Sequence, residues 1–208
     1  MAAGVYDRAT EYVRGLLKED SGGHDIGHVL RVYRTALYLA EGRKDCDLMI
    51  VSLAAILHDA DDSKLFDTVD YENARRFLAS EGFDASLTEK VIGVIDQVSY
   101  SKNRDRRPCT LEAMIVQDAD RLDAMGAFGI ARTFAYGGRN GRDMKESLRH
   151  FSDKLLKLRD LMNLERSKEI ADKRHEFMVS YLKEMYDESK ETDSQMLDVL
   201  SDILSSEL

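Results

Sequence analysis

The chain has 208 residues, of which 43% are hydrophobic and 33% charged, and its formal net charge is −9. This balance is typical of a globular protein of about one domain, and no apolar run is long enough to span a bilayer. The negative charge is concentrated in residues 183–208, where eight acidic residues stand against two basic ones. General nucleic-acid binding, which needs a basic face, is therefore not expected.

Two features indicate where the protein works. The N-terminus has no apolar signal core, so export by a cleaved signal peptide is not expected. The two cysteines, Cys46 and Cys109, stand far apart and form no CxxC pair, so no disulfide framework is implied. We therefore expect a cytoplasmic protein with neither a membrane nor a nucleic acid as its partner.

The hydrophobic pattern predicts an all-α protein. Apolar residues recur at spacings of three and four nearly everywhere, there is one proline, and no stretch alternates convincingly as a strand would. The predicted helices are, in order, 3–18, 24–41, one that leads to His58, 71–81, 86–98, one from Thr110 to Asp123, one after Met125, 144–162, 166–191 and one after Thr192.

The ends of several helices carry recognisable signals. The expected N-terminal caps are Asp45 or Asp47, the capping box Ser86–Glu89, Thr110 and the capping box Thr192–Gln195. Gly42 stands where a C-terminal glycine cap is expected for the second helix. The glycine-rich residues 137–141 are expected to break the helix that follows Met125 and to be mobile.

The segment from Leu53 to Asp62 is an apolar helix that ends in the polar sequence His58-Asp59-Ala-Asp-Asp. A buried run that stops on an adjacent histidine and aspartate is costly unless both side chains have partners. A divalent metal ion would serve both, because neutral imidazole and carboxylate are common ligands of such ions. We therefore interpret His58 and Asp59 as metal ligands.

Further ligand candidates lie on two other predicted helices. They are His28 and one of Asp118 or Asp120, which stand two apart on a helix and so point to different sides. A helical bundle can direct residues from separate helices at one ion. Two imidazoles and two carboxylates suit Mn, Fe, Co, Ni or Zn better than Ca.

The order of these residues resembles the HD-domain superfamily of metal-dependent phosphohydrolases. The resemblance rests on Gly27–Val32, Ala55–Asp62 and Gln117–Gly126, and it extends from about Gly22 to Glu188. It is closest to the small stand-alone HD hydrolases of bacteria and archaea. It implies a compact multi-helix HD-domain bundle with additional C-terminal helices.

The resemblance also implies a ligand set. The motif positions of the family fall on His28, His58, Asp59 and Asp120, and together they would bind one divalent ion (Mn, Fe, Co, Ni, Zn or Mg). The family's last aspartate often stands in an Ala-Asp-x-Leu context, which favours Asp120 over Asp118 as the fourth ligand. Asp118 would then support the site from behind or bind a helix end.

Four more residues are candidates for chemistry or substrate binding. Relatives that cleave nucleotides carry an acid three positions after the HD aspartate, here Asp62, which can orient a water or take its proton; the alternative is a solvated helix end. Arg31 and Lys64 could neutralise phosphate, although a salt bridge and a surface position are as compatible with the sequence. His24 could transfer a proton or contact phosphate, or simply face solvent.

One HD-type domain is expected over residues 1–208, with a metal-binding core at about 20–135 and a helical extension at about 144–208. The apolar stripe from Met196 to Leu204 would dock on the body or on a second subunit, which makes a homodimer a candidate arrangement. The expected activity is metal-dependent hydrolysis of a phosphorylated small molecule, in the first place a nucleotide, with release of phosphate or pyrophosphate. The alternatives are a hydrolase of a signalling nucleotide and a catalytically silent nucleotide-binding sensor.

Overall fold

The computed structural model of the chain describes residues 2–17, 25–103 and 106–205. These residues form helices and no strand, so the all-α prediction is confirmed. The elements are α1 (Ala2–Leu16), α2 (Ile26–Ala40), α3 (Leu48–Leu57), α4 (Glu72–Ser80), α5 (Ala85–Asp96), α6 (Leu111–Asp123), α7 (Gly126–Arg139), α8 (Met144–His150), a π turn (Phe151–Leu155), a 3₁₀ segment (Leu156–Leu161), α9 (Glu165–Ser189) and α10 (Ser194–Ser205). Within the described residues, no helix is both long and apolar enough to cross a membrane.

The chain divides into two compact units, Met1–Asp120 and Arg121–Leu208. In the first unit α3 packs against α1, α2 and α5. Every residue of α3 from Ile50 to Leu57 is buried, which explains why this helix is apolar around its whole circumference. The end of the most buried helix is therefore a rigid place from which to present polar side chains.

In the second unit α9 packs against α7, the 3₁₀ segment and α10. Most of the apolar stripe of α10 is buried, and α10 also packs against α8. The buried residues are Met196, Leu200, Ile203 and Leu204. The stripe thus finds its partners within the chain, which is the first of the two arrangements that the sequence left open. The prediction of one domain over the whole chain stays a prediction.

Two helices differ from the sequence prediction in this unit. Helix α7 continues through residues 137 and 138 and ends at Arg139, so it does end within the predicted segment, but later than its first glycine. Gly137 is buried at a close approach to Ser147, where any Cβ would overlap the hydroxyl of that serine. The glycine is present because of packing, and its backbone stays helical.

The prediction of a single helix over 144–162 is wrong. It is regular only to His150 and then passes through the π turn into the 3₁₀ segment. Phe151, Leu155, Leu156 and Leu158 are all buried. The wider and then tighter turns bring these unevenly spaced apolar side chains to the inside, where a regular helix would expose some of them.

The observed caps agree with the prediction at some helices and correct it at others. Asp47 caps α3, and the Thr110 hydroxyl accepts from Ala113 N at 3.2 Å at the start of α6, both as expected. The cap of α5 is Asp84 and not Ser86, and the cap before α10 is Asp193 and not Thr192. In both corrections an aspartate one or two residues from the predicted cap makes the hydrogen bond, because its carboxylate is a strong acceptor for the first-turn N–H groups.

Candidate metal centre

His58 stands directly after α3, as its C-terminal cap residue. Its Nδ1 lies 2.9 Å from the carbonyl oxygen of Ala55. A carbonyl oxygen only accepts, so Nδ1 carries the proton and donates it. The lone pair of the neutral ring is therefore on Nε2, which is the arrangement by which proteins orient metal-binding histidines.

His28 lies in the first turn of α2. Its backbone N–H donates to the side chain of the N-cap residue Asp25 at 2.7 Å, so the cap fixes the helix start next to this histidine. The His28 ring stands edge-on to the His58 ring, at 70°, and the two Nε2 atoms are 3.2 Å apart. Both side chains are almost fully buried.

Two carboxylates complete the cluster. Asp59 places Oδ2 3.3 Å from His28 Nε2 and Oδ1 3.4 Å from His58 Nε2. Asp120, on α6, places Oδ1 3.4 Å and 3.8 Å from the same two nitrogens. The structure thus brings His28, His58, Asp59 and Asp120 together, although they are up to 92 positions apart in the chain.

The two aspartates of α6 differ in their surroundings. Asp118 is fully buried, whereas the Asp120 side chain is 26% exposed and faces both imidazoles. Asp120 therefore combines contact with the cluster and access from solvent. The ligand atoms of His28, His58 and Asp120 lie within 4.8 Å of one another, close enough to hold one metal ion.

The donor set fits a divalent ion in spacing and in chemistry. Ligand atoms about 2.1 Å from an ion stand roughly 3.0–3.4 Å from their neighbours in octahedral or tetrahedral geometry, and the distances above are 3.2–3.8 Å. Imidazole nitrogen with carboxylate oxygen favours Mn, Fe, Co, Ni or Zn over Ca. If all four side chains bound one ion, further coordination positions would be open for water and substrate.

Comparison with known proteins identifies the family. The family model of the HD domain matches residues 25–125. YpgQ of Bacillus subtilis is 39% identical over 191 residues, which cover 84% of this chain and 88% of that protein. The chain belongs to the HD-domain family. HD domains are metal-dependent, and the cluster of His28, His58 and Asp120 is a group that could bind the metal.

Solved structures of HD proteins agree with this assignment. The crystal structure of Bacillus subtilis YpgQ in complex with ADP is 37% identical in sequence to this chain and superposes with a TM-score of 0.76. The match covers 90% of this chain and 100% of the YpgQ chain. The crystal structure of an HD-superfamily hydrolase from Bacillus thuringiensis is 33% identical, with a TM-score of 0.73 and coverage of 92% and 100%. The fold is therefore that of the HD-superfamily hydrolases.

The structure describes three of the four other residues predicted for the HD site. Asp62 is half-buried, and its Oδ1 accepts from the backbone N–H of Lys64 at 2.8 Å. The Lys64 side chain is exposed, and within the described residues its ammonium makes no hydrogen bond or ion pair. Arg31 follows His28 by one turn of α2 and is half-buried. His24 lies outside the described residues.

Two residues beside the HD motif, Asp61 and Asn73, make contacts that the sequence does not predict. The sequence alone gives Asp61 and Asn73 no specific role. Both carboxylate oxygens of Asp61 accept from the start of α4, and Asn73 is almost fully buried beside Ala60. No local pattern announces these contacts, because they join residues 12 and 13 positions apart.

Proposed function

We propose that the protein is a metal-dependent phosphohydrolase in which His28, His58, Asp59 and Asp120 hold one divalent ion. The observation that carries the proposal is the convergence of these four side chains within 3.2–3.8 Å. One divalent ion would accept a lone pair from all four of these buried or half-buried polar side chains at once. The hydrolase assigned to the Bacillus thuringiensis relative supports the same reaction class.

In this proposal, separate residues of the chain hold the metal ion, orient the ligands and neutralise the charge of the phosphate. His28, His58, Asp59 and Asp120 would hold the divalent ion, which when bound would supply Lewis-acid polarisation of a phosphate oxygen and a lowered pKa of water. Ala55 keeps His58 in the tautomer that offers Nε2. Arg31 and Lys64 supply positive charge for the phosphate, and His24 contacts it or transfers a proton.

Asp62 orients the attacking water and accepts its proton. Its hydrogen bond to the N–H of Lys64 fixes Oδ1, and within the described residues this is the one hydrogen bond of the side chain. Oδ2 is thus left for water. A carboxylate that is held at one oxygen and open at the other has the fixed geometry that general base catalysis needs.

The substrate that we propose is a nucleotide, cleaved with release of phosphate or pyrophosphate. Support comes from YpgQ, whose crystal structure contains ADP and which is 37% identical to this chain. The sequence offers only five histidines, which argues against a multinuclear centre. A panel of nucleoside mono-, di- and triphosphates with Mn²⁺, assayed for both products, identifies the substrate and the bond that breaks.

Replacing Asp62 with Asn is expected to lower kcat about a hundredfold or more, the usual range for loss of a general base. The metal content should stay as in the wild type, because the substitution keeps the backbone and the side-chain hydrogen bond of Asp62 goes to Lys64 N and not to a ligand. Steady-state kinetics and metal analysis on the same preparation measure both. Asp67→Asn, which removes an exposed acid five residues on, is the matched control.

The two variants test the role of Asp62, and nucleotide binding by the wild type distinguishes a hydrolase from a sensor. Wild-type activity in both Asp62→Asn and Asp67→Asn would contradict the role of Asp62. Tight nucleotide binding by wild type with no product from any nucleotide would contradict the hydrolase and favour a sensor.

A further inference from the structure

The carboxylate of Asp61 caps a helix that is remote in sequence. Its Oδ1 accepts from Asn73 N and its Oδ2 from Ala74 N, both at 2.9 Å. These are N–H groups of the first turn of α4, which its own N-cap residue Tyr71 leaves without a side-chain acceptor. Asp61 therefore takes the place of a local cap, and its charge lies at the positive end of the helix dipole.

Asn73 returns the contact. Its side-chain Nδ2 donates to the carbonyl oxygen of Ala60 at 2.8 Å, and its own carbonyl accepts from the Tyr12 hydroxyl at 3.0 Å. Asn73 is 5% exposed and Ala60 is fully buried, so the bond to Ala60 is shielded from water. The three bonds between residues 60–61 and residues 73–74 are called the motif clamp below.

The motif clamp holds the backbone directly after Asp59. Helix α3 ends at Leu57, so residues 58–61 turn without a continuous helical ladder. The orientation of the Asp59 carboxylate depends on the backbone angles of this turn. Fixing Ala60 O and Asp61 therefore restricts the angles available to Asp59.

The backbone directly before α4 is strained. Asp70 and Tyr71 are consecutive non-glycine residues with φ of 53° and 57°, a conformation that L residues avoid. Side chains hold both in place: Arg75 Nε donates to Asp70 O at 2.8 Å, and the Tyr71 hydroxyl donates to Asp96. Strain that is held from several sides indicates that the placement of the following helix matters.

We propose that Asp61 and Asn73 are positioning residues, which orient Asp59 toward the metal by clamping the turn after α3 to the start of α4. The inference rests on the proposed metal centre. It also separates the two neighbouring acids of the motif. The carboxylate of Asp61 is hydrogen-bonded to the start of α4 and positions the backbone, whereas the carboxylate of Asp62 orients the attacking water.

The test is Mn²⁺ affinity, measured from the electron paramagnetic resonance signal of free Mn²⁺ at a temperature well below unfolding. Asn73→Ala removes the bond to Ala60 without changing charge. We expect it to weaken Mn²⁺ binding about 10–100-fold, the range found when groups behind metal ligands are removed. Asp61→Asn should act in the same direction and keeps the test available if Asn73→Ala fails to fold.

Two controls match the variants in stability and in charge. Phe77→Leu thins the buried face of α4 and removes none of the three hydrogen bonds of the motif clamp. Asp67→Asn removes one exposed negative charge near the motif. Both should leave Mn²⁺ affinity within about twofold of wild type, although Phe77→Leu lowers the melting temperature.

The outcomes distinguish the inference from the function on which it rests. Mn²⁺ affinity that is unchanged in Asn73→Ala and Asp61→Asn, or weakened equally in Phe77→Leu, overturns the positioning role while the metal centre stands. A wild-type protein that binds no Mn²⁺ overturns the metal centre and the inference with it.

Discussion

Replacing His58 or Asp59 with alanine should remove the bound metal and the hydrolytic activity together. Each side chain lies within 3.2–3.4 Å of other members of the cluster and is almost fully buried, so its removal takes a ligand atom out of the centre of the site. Activity should fall at least about a thousandfold, because a metal's stabilisation of transition-state charge is worth several kcal/mol. Metal analysis after gel filtration and the product assay measure the two losses.

Asp67→Ala serves as the control for these ligand variants, since it removes an exposed carboxylate from the loop that follows the motif. It should keep both metal and activity. Turnover that survives both ligand substitutions would refute the assignment of His58 and Asp59.

Phe151→Ala is expected to have the largest effect on stability. Phe151 is fully buried in the π turn, and its ring lies 6.1 Å from the ring of Phe134, centroid to centroid. Truncation of such a side chain leaves a cavity and should lower the free energy of unfolding by about 3–5 kcal/mol. Urea unfolding followed by circular dichroism measures the change.

Phe177→Ala makes the same chemical change at a side chain that is 51% exposed on α9. Its effect should stay below about 1 kcal/mol, as is usual for surface positions. Equal destabilisation by the two variants would mean that Phe151 does not anchor the second unit.

The sequence predicted most of what local chemistry determines. The spacing of apolar residues placed the helices, and Asp47 and Thr110 cap where their position before an apolar run indicated. The candidate ligands could be named because burying a histidine next to an aspartate costs free energy unless both side chains have a partner such as a metal ion. The resemblance to HD domains added the choice of Asp120, whose place beside both imidazoles supports it.

The features that were missed depend on contacts between distant residues. Asp61 and Asp62 look alike in the sequence, and only the position of α4 distinguishes the acid that caps a helix from the one that is left for water. Gly137 carries the usual signal of a helix break, yet it lies within α7, and its missing side chain leaves room for Ser147. The π turn at Phe151 likewise follows from which side the core lies on.

The most direct test of the metal centre is anomalous diffraction at the manganese edge from crystals soaked in Mn²⁺. The account predicts one strong peak about 2.0–2.3 Å from His28 Nε2, His58 Nε2 and a carboxylate oxygen of Asp59 and of Asp120. A peak bound by Asp118 in place of Asp120 would correct the fourth ligand. A peak elsewhere, or none at millimolar Mn²⁺, would contradict the centre and the proposed hydrolysis.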